Sequence, residues 1–310
     1  MVTRFNSTSR TVEQVRDLKT NDLTVQLGDV PASVVSLRID DGPKRVAVVL
    51  DDSGRISAEE WKRETELAAS FVGHARPQDT VALLLVGSHS AVSPLVSPAE
   101  VVEQLRQVSF TRPPAPDAGG RTLDTLLAAV NLLSPPRFGD AIFLFGRSDD
   151  TGSAANLEPV QEQMLRNGLR FYGLSLVDPT EKLPPGTDRN KPLPAAFNPG
   201  RLAEPSSMTG CAFEFTSLKV LAMPAQFVRF REELVPRYFP SQLELRKNHL
   251  ADLYAGIAAP YRVALPASSI QNPTELRIAV ADADERNINK RDIHFPRRVY
   301  PCPAPAPTAP

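Results

Sequence analysis

Acidic and hydroxyl side chains follow directly after an apolar run near residue 50. The segment RVAVVL at 45–50 ends in Asp51, Asp52 and Ser53, with Gly54 next. Carboxylates at the end of a strand either cap the following turn or face a ligand at the carboxyl end of a sheet. These residues alone leave both interpretations open.

Motifs of catalysis by a side-chain nucleophile or a bound nucleotide are missing from the sequence. Gly146-Arg147-Ser148-Asp149-Asp150 departs from Gly-x-Ser-x-Gly at its last position, and there is no Walker loop or dinucleotide fingerprint. The four histidines show no metal-ligand spacing such as His-Glu-x-x-His. The sequence therefore favours a non-enzymatic role, and the rival is a hydrolase that acts through the acidic loop.

Two further acidic pairs have simpler interpretations. We expect Asp149 and Asp150 to form a solvated turn. The alternative is that one of them supplies a carboxylate ligand to a binding site from a displaced position in the loop. Asp282 and Asp284 lack the glycine and the closing glutamate of a calcium loop, which favours an acidic hairpin turn.

Composition excludes several partner classes. The 310 residues include 35 basic and 36 acidic side chains, a net charge of −1, so the broad basic field that nucleic acids or anionic membranes attract is missing. No run of apolar residues is close to the length of about 18 that a membrane span requires. The first ten residues, MVTRFNSTSR, lack the apolar core of a signal peptide. Cys211 and Cys302 are too few for a zinc cluster, and a bridge between them stays open.

The acidic loop is flanked by alternating strand and helix patterns. Largely apolar segments at 45–50, 80–86 and 141–145 are typical of strands buried on both faces, and 169–176 is predicted as a fourth strand. Helical periodicity separates them, so the sequence predicts an α/β fold with a doubly wound, mostly parallel sheet.

The first helix has a clear sequence signature. Ser57 and Glu60 have the spacing of a capping box, and Trp61, Ala68 and Phe71 share one face. We therefore expect Glu60 to take part in capping the N-terminus of this helix.

Shorter strands are predicted at both ends of the chain. Alternating segments at 23–27 and 34–37 precede the α/β pattern, and segments at 261–265, 276–280 and 293–299 follow it. We expect these strands to pack together as a small β appendage. The division has four parts: 1–43, an N-terminal β segment; 44–236, the α/β domain; 237–300, a helix and strands that pack with the N-terminal segment; and 301–310, a Pro-rich tail.

Three loops resemble the metal ion-dependent adhesion site of von Willebrand factor type A domains. LDDSGRIS resembles the Asp-x-Ser-x-Ser loop, with Asp51 and Ser53 in place and Arg55 replacing the second serine. GGRTLDTLLAAV resembles the second loop and offers Thr122, whereas in IFLFGRSDDTGS the aspartate place is taken by Phe145. The resemblance implies a Rossmann-like fold and a degenerate metal site.

The flanking segments are similar to a bacterial group, the von Willebrand factor A-related proteins. The similarity lies in DLKTNDLTV at 17–25, RLAE at 201–204 and LADLYAGIAAPYRVAL at 250–265. Such proteins are generally exported, so the resemblance implies an exported or periplasmic, cell-envelope location, although no signal peptide is present in this sequence.

The resemblance also implies the site and its partners. We expect protein partners over the carboxyl-end loops and no resident cofactor, with Arg55 pairing with Asp51 in place of an ion. The alternative is Mg²⁺ bound by Asp51, Ser53 and Thr122, and a further rival is a purely structural role in which the appendage mediates assembly. The oligomeric state stays open. The predicted binding surface comprises Asp51, Asp52, Ser53, Arg55, Thr122 and Gly146.

Overall fold

The structure is a computed structural model that describes most of the chain, with gaps. The described residues are 3–6, 11–53, 56, 58–87, 90–91, 93–108, 120–146, 150, 152–177, 213–217, 242–266, 270, 272–283, 288, 293 and 295–300. Some features singled out in the sequence lie outside them, namely both cysteines and the tail at 301–310.

Short strands make up the described N-terminal part of the chain. They are β1 (Thr3–Asn6), β2 (Thr11–Gln14), β3 (Leu23–Leu27), β4 (Val30–Ala32) and β5 (Ser36–Ile39), with a 3₁₀ turn at Thr20–Asp22. β1 and β2 pair as an antiparallel hairpin that the sequence analysis did not predict. The strand expected at 34–37 begins two residues later, at Ser36.

A six-stranded sheet forms the centre of the α/β part. Its strands are β6 (Arg45–Leu50), β7 (Thr80–Leu85), β8 (Ser90–Ala91), β9 (Ala141–Gly146), β10 (Arg170–Val177) and β11 (Phe213–Ser217). Their order across the sheet is β11-β10-β9-β6-β7-β8. β8 runs antiparallel to β7, and the other neighbours are parallel.

Helices cover both faces of this sheet. They are α1 (Ala58–Gly73), α2 (Pro98–Gln107), α3 (Thr122–Leu132), α4 (Leu157–Arg166) and α5 (Gln242–Ala258). Ser97 caps α2 by accepting the Glu100 N–H, and Pro98 fits the first turn because that turn needs no amide donor. None of the described helices combines the length and apolarity that crossing a membrane requires.

Alternation along β6 divides the core into two layers. Val46, Val48 and Leu50 pack against α1, α2 and α5, whereas Ala47 and Val49 pack against α3 and α4. Every residue of β6 and β9 is buried because both strands lie in the middle of the sheet with helices on each side. The predicted α/β doubly wound fold is confirmed.

The strands at the two ends of the chain form the predicted β appendage. After α5 come β12 (Tyr261–Ala264), β13 (Thr274–Val280) and β14 (Arg298–Val299), and this last strand is shorter than the 293–299 predicted. A four-stranded antiparallel sheet has the order β14-β13-β3-β4, and β12 pairs with β5. Val25, Leu27 and Leu276 form its small core.

Helix α5 packs in the α/β core, and the strands after it enter the appendage. Leu250, Tyr254 and Ile257 lie in the same apolar layer as α1. Arg170 on β10 donates hydrogen bonds to the Gly256 and Ile257 carbonyls at 3.1 and 3.0 Å. The end of this helix is thereby fixed to the sheet.

Candidate functional site

The polar residues after β6 lie where the parallel strands end. The Asp51 N–H donates to the Phe145 carbonyl at 3.2 Å, and the Val86 N–H donates to the Leu50 carbonyl at 3.0 Å. The ends of β9, β6 and β7 therefore meet here. We call the region formed by 51–53, 86–87 and 145–146 the carboxyl edge.

Asp51 and Gly146 touch closely at the carboxyl edge. Gly146 has φ +134°, which disfavours any residue with a side chain, and a Cβ placed there would lie 2.2 Å from Asp51 Cβ. Glycine at 146 is thus required by both backbone conformation and space. It also means that β9 contributes no side chain at this position.

Glu64 is a functional candidate that the sequence analysis missed. It lies on α1, is 0% exposed, and accepts a hydrogen bond from the Asp51 N–H through Oε1. Burial raises the pKa of Glu64 well above its usual range, and the charges of Asp51, Asp52 and Glu60 add to this, although the Asp51 hydrogen bond opposes it. The available signal was a glutamate on the apolar face of α1, three residues after Trp61.

Ser53 closes the turn over Asp51. Its N–H donates to Asp51 Oδ1 at 3.0 Å, and the residue is 1% exposed. Ser53 Oγ and Glu64 Oε2 are both buried without a hydrogen-bond partner in the described structure. Asp51 is therefore bounded by two residues that each present an unsatisfied oxygen atom.

Asp52 connects the first loop to the end of β7. Its Oδ1 accepts the Gly87 N–H at 2.5 Å, and a Cβ at Gly87 would lie 2.9 Å from that oxygen atom. Asp52 is half-exposed, so its other surface faces solvent.

Thr122 is fully buried at the first residue of α3, beside the third loop. The neighbouring Asp124 carboxylate accepts the Ala154 and Ala155 N–H groups at 3.1 and 2.8 Å. The Asp124 N–H donates to Ser153 Oγ at 3.1 Å. These bonds fasten the second loop to the third.

Asp150 is half-buried, not in the solvated turn that was predicted. It pairs with Arg121 in an isolated antiparallel bridge. Burial raises the pKa of its carboxyl, although hydrogen bonds from Ser153 and the Leu123 N–H oppose the change. The tertiary contact between the second and third loops explains this burial. Asp149 lies outside the described residues.

The predicted metal ligands fit a cation only in part. Asp51, Ser53 and Thr122 are all buried, and the unpartnered Ser53 Oγ suits a hard cation. The third loop offers no carboxylate at its predicted place, since Phe145 lies in the core. Within the described ranges, no three Asp, Glu, His or Cys side chains are gathered as metal ligands.

Most of the predicted binding surface lies below the molecular surface. Asp51, Ser53, Thr122 and Gly146 are buried, and Asp52 is half-exposed. Asp51 and Ser53 are buried because their polar groups close the first loop internally. Arg55 lies outside the described residues, so its pairing with Asp51 stays a prediction.

Comparison with solved structures finds proteins of similar fold at low sequence identity. An aerotolerance-related membrane protein from Bacteroides fragilis is 12% identical, with 69% of this chain and 98% of that chain covered and a TM-score of 0.46. A von Willebrand factor type A structure from Catenulispora acidiphila is 11% identical, with 77% and 51% covered and a TM-score of 0.48.

A third structure is proximal thread matrix protein 1 from the mussel byssus, with a zinc-occupied MIDAS motif. It is 13% identical, with 74% of this chain and 50% of that chain covered and a TM-score of 0.49. No family model and no curated protein matches the sequence. The fold family that the sequence resembles is thus found among the structural neighbours, and at these identities the likeness concerns the fold alone.

Proposed function

We propose that this chain is a non-enzymatic protein-binding domain whose partner contacts the loops of the carboxyl edge. The observation that supports this most directly is that hydrogen bonds fasten the loops at this end of the sheet in pairs. Asp52 joins the first loop to the end of β7, and Asp124 joins the second loop to the third. Loops held in place lose less conformational entropy when a partner binds.

The Asp51 and Glu64 pair also supports a role in binding. Burial of the Glu64 carboxyl destabilises the fold, because desolvation and then the charge of Asp51 disfavour its ionised form and raise its pKa. Neither side chain adds apolar contact to the core. Such an arrangement is typical of a site that is retained for function at some expense of stability.

A second candidate is Mg²⁺-dependent binding at the same place. The unpartnered Ser53 Oγ favours it, because a hydroxyl oxygen is a good ligand for a hard cation. Asp51, Ser53 and Thr122 would hold the ion, which would supply a coordination position for a partner carboxylate. Loss of partner binding in chelator distinguishes this candidate from the metal-free one.

We further propose a location at the bacterial cell envelope. This rests on the resemblance of the sequence to exported von Willebrand factor A-related proteins.

Affinity capture from extracts of the native organism tests the proposed function. Asp52→Arg reverses the charge of the half-exposed side chain, and Asp52→Asn keeps an acceptor for the Gly87 N–H while removing the charge. Asp29→Arg is the matched control, because Asp29 has a 97% exposed side chain in the appendage.

If a partner binds the carboxyl edge, the wild type and Asp29→Arg should capture it. Asp52→Arg should fail to capture it, and Asp52→Asn should bind it more weakly. Loss with Asp29→Arg and retention with Asp52→Arg would overturn the proposal in favour of the appendage.

A further inference from the structure

The last two residues of β9 offer no carboxylate to the carboxyl edge. Phe145 is buried in the apolar layer against Phe71 and Phe143, and Gly146 has no side chain. Positions 145 and 146 therefore supply no carboxylate to a cation at this edge.

Glu64 on α1 is a carboxylate in the right neighbourhood. Its Oε1 is fixed by the Asp51 N–H, which places the side chain against the first loop. Its Oε2 is buried and has no partner among the described residues. A buried acceptor oxygen left in this state costs stability unless something satisfies it.

Ser53 provides an independent second observation. Its Oγ is also buried and unpartnered, and its backbone is bonded to the same Asp51. Two residues that are hydrogen-bonded to Asp51 through other atoms thus each carry a buried oxygen atom without a partner. A divalent cation satisfies oxygen acceptors of both kinds at once, and the negative charges of Asp52 and Glu60 near Glu64 would favour it.

We infer that Glu64 is a ligand of a divalent-cation site at the carboxyl edge, together with Asp51 and Ser53. Two carboxylates and one hydroxyl suit Mg²⁺ or Mn²⁺, which keep several waters in such sites. The set includes only two acidic side chains, and within the described ranges no three acidic, histidine or cysteine side chains are gathered as metal ligands. The inference deepens the metal-dependent form of the proposed function and rests on it for the link to partner binding.

Calorimetric titration of Mn²⁺ into the full, chelator-treated chain tests the inference, with electron paramagnetic resonance reporting bound Mn²⁺. Glu64→Gln keeps an acceptor for the Asp51 N–H and removes the ligand charge. Glu66→Gln is the matched control, since Glu66 lies on the same helix but is half-exposed and paired with Arg63. Ser53→Ala removes the unpartnered hydroxyl.

We expect saturable binding by the wild type and by Glu66→Gln. Affinity should fall roughly tenfold or more in Glu64→Gln and less in Ser53→Ala. The melting temperature without metal confirms that each variant is folded. No saturable binding by the wild type, or equal affinity in folded Glu64→Gln and the wild type, would overturn the inference. A null titration leaves the metal-free proposal standing, because the Asp52 capture experiment tests that proposal separately.

Discussion

The Asp51 N–H donates to the carboxylate of Glu64, a residue 13 positions later that is 0% exposed on the core side of α1. This bond brings a helix carboxylate to the end of β6, where the chain leaves the sheet. It explains how an acidic residue on an apolar helix face is accommodated: one oxygen atom meets a backbone donor, and the other is left at the carboxyl edge.

Replacing Glu64 by Gln should stabilise the metal-free protein at neutral pH. A carboxyl whose pKa is raised on folding binds a proton more tightly in the native state, so its burial costs stability as the pH rises above its unfolded pKa. The variant avoids this cost, and its melting temperature should rise by roughly 2–4 °C, equivalent to about 1 kcal/mol. Thermal unfolding at pH 7.5 and at pH 4 measures it, and the gain should shrink at the lower pH. A lower melting temperature for the variant at pH 7.5 would contradict this explanation.

Replacing Gly146 by Ala should destabilise the fold strongly. The new Cβ would meet Asp51 Cβ at 2.2 Å in a backbone with φ +134°, and neither atom belongs to the flexible end of a side chain. We expect a loss of about 3 kcal/mol or more in urea unfolding. Gly168→Ala is the control, because φ is +63° there but nothing lies within 4 Å, so it should lose only about 1 kcal/mol. Equal losses would show that the contact with Asp51 is unimportant.

Replacing Asp124 by Ala should separate the second loop from the third. Two amide hydrogen bonds to the carboxylate are lost, at a cost of about 1–3 kcal/mol locally. Amide exchange at Ala154 and Ala155 should become at least about tenfold faster, while β6 keeps its protection. Asp124→Asn retains one acceptor and should have an intermediate effect. Unchanged exchange in Asp124→Ala would contradict the proposed fastening.

Asp79 gives a pH dependence at the opposite end of the sheet. Burial acts to raise its pKa, but hydrogen bonds from Arg76, Lys44 N and Tyr254 outweigh it and hold the pKa below its usual range. Its stabilisation is therefore present above the unfolded pKa of about 3.9 and is lost as the pH falls through the lower folded value.

Asp79→Asn should lose about 3 kcal/mol at pH 7, and the deficit relative to the wild type should shrink below about pH 3. Urea unfolding at the two pH values measures it. Tyr254→Phe removes one of these hydrogen bonds and costs about 1 kcal/mol, and this smaller deficit should shrink over the same pH range because the lost bond is made to the Asp79 carboxylate. A deficit of Asp79→Asn that is constant with pH would contradict the assignment.

The sheet and its appendage could be predicted because long elements carry clear periodicity. Segment 46–50 is apolar throughout and, with Arg45 before it, forms a fully buried strand, as expected. β8 has two residues and β1 has four, too short for a periodic signal, and these were missed.

The candidate site was only partly predictable because tertiary contacts decide it. Asp51 and Ser53 follow from a local motif. Glu60 was expected to take part in capping the N-terminus of α1, yet only 2% of this residue is exposed to solvent. Glu64 and Asp150 are buried by contacts with segments distant in sequence, and no local pattern encodes those contacts.

Hydrogen exchange of the chain alone and with its captured partner tests the central claim most directly. If the partner binds the loops of the carboxyl edge, amide protection should increase at 51–53 and 86–87 and in the adjoining third loop at 152–155, and amide protection in the appendage turn at Gly28 and Asp29 should be unchanged. Protection confined to the appendage strands, with unchanged exchange at the carboxyl edge, would contradict the account.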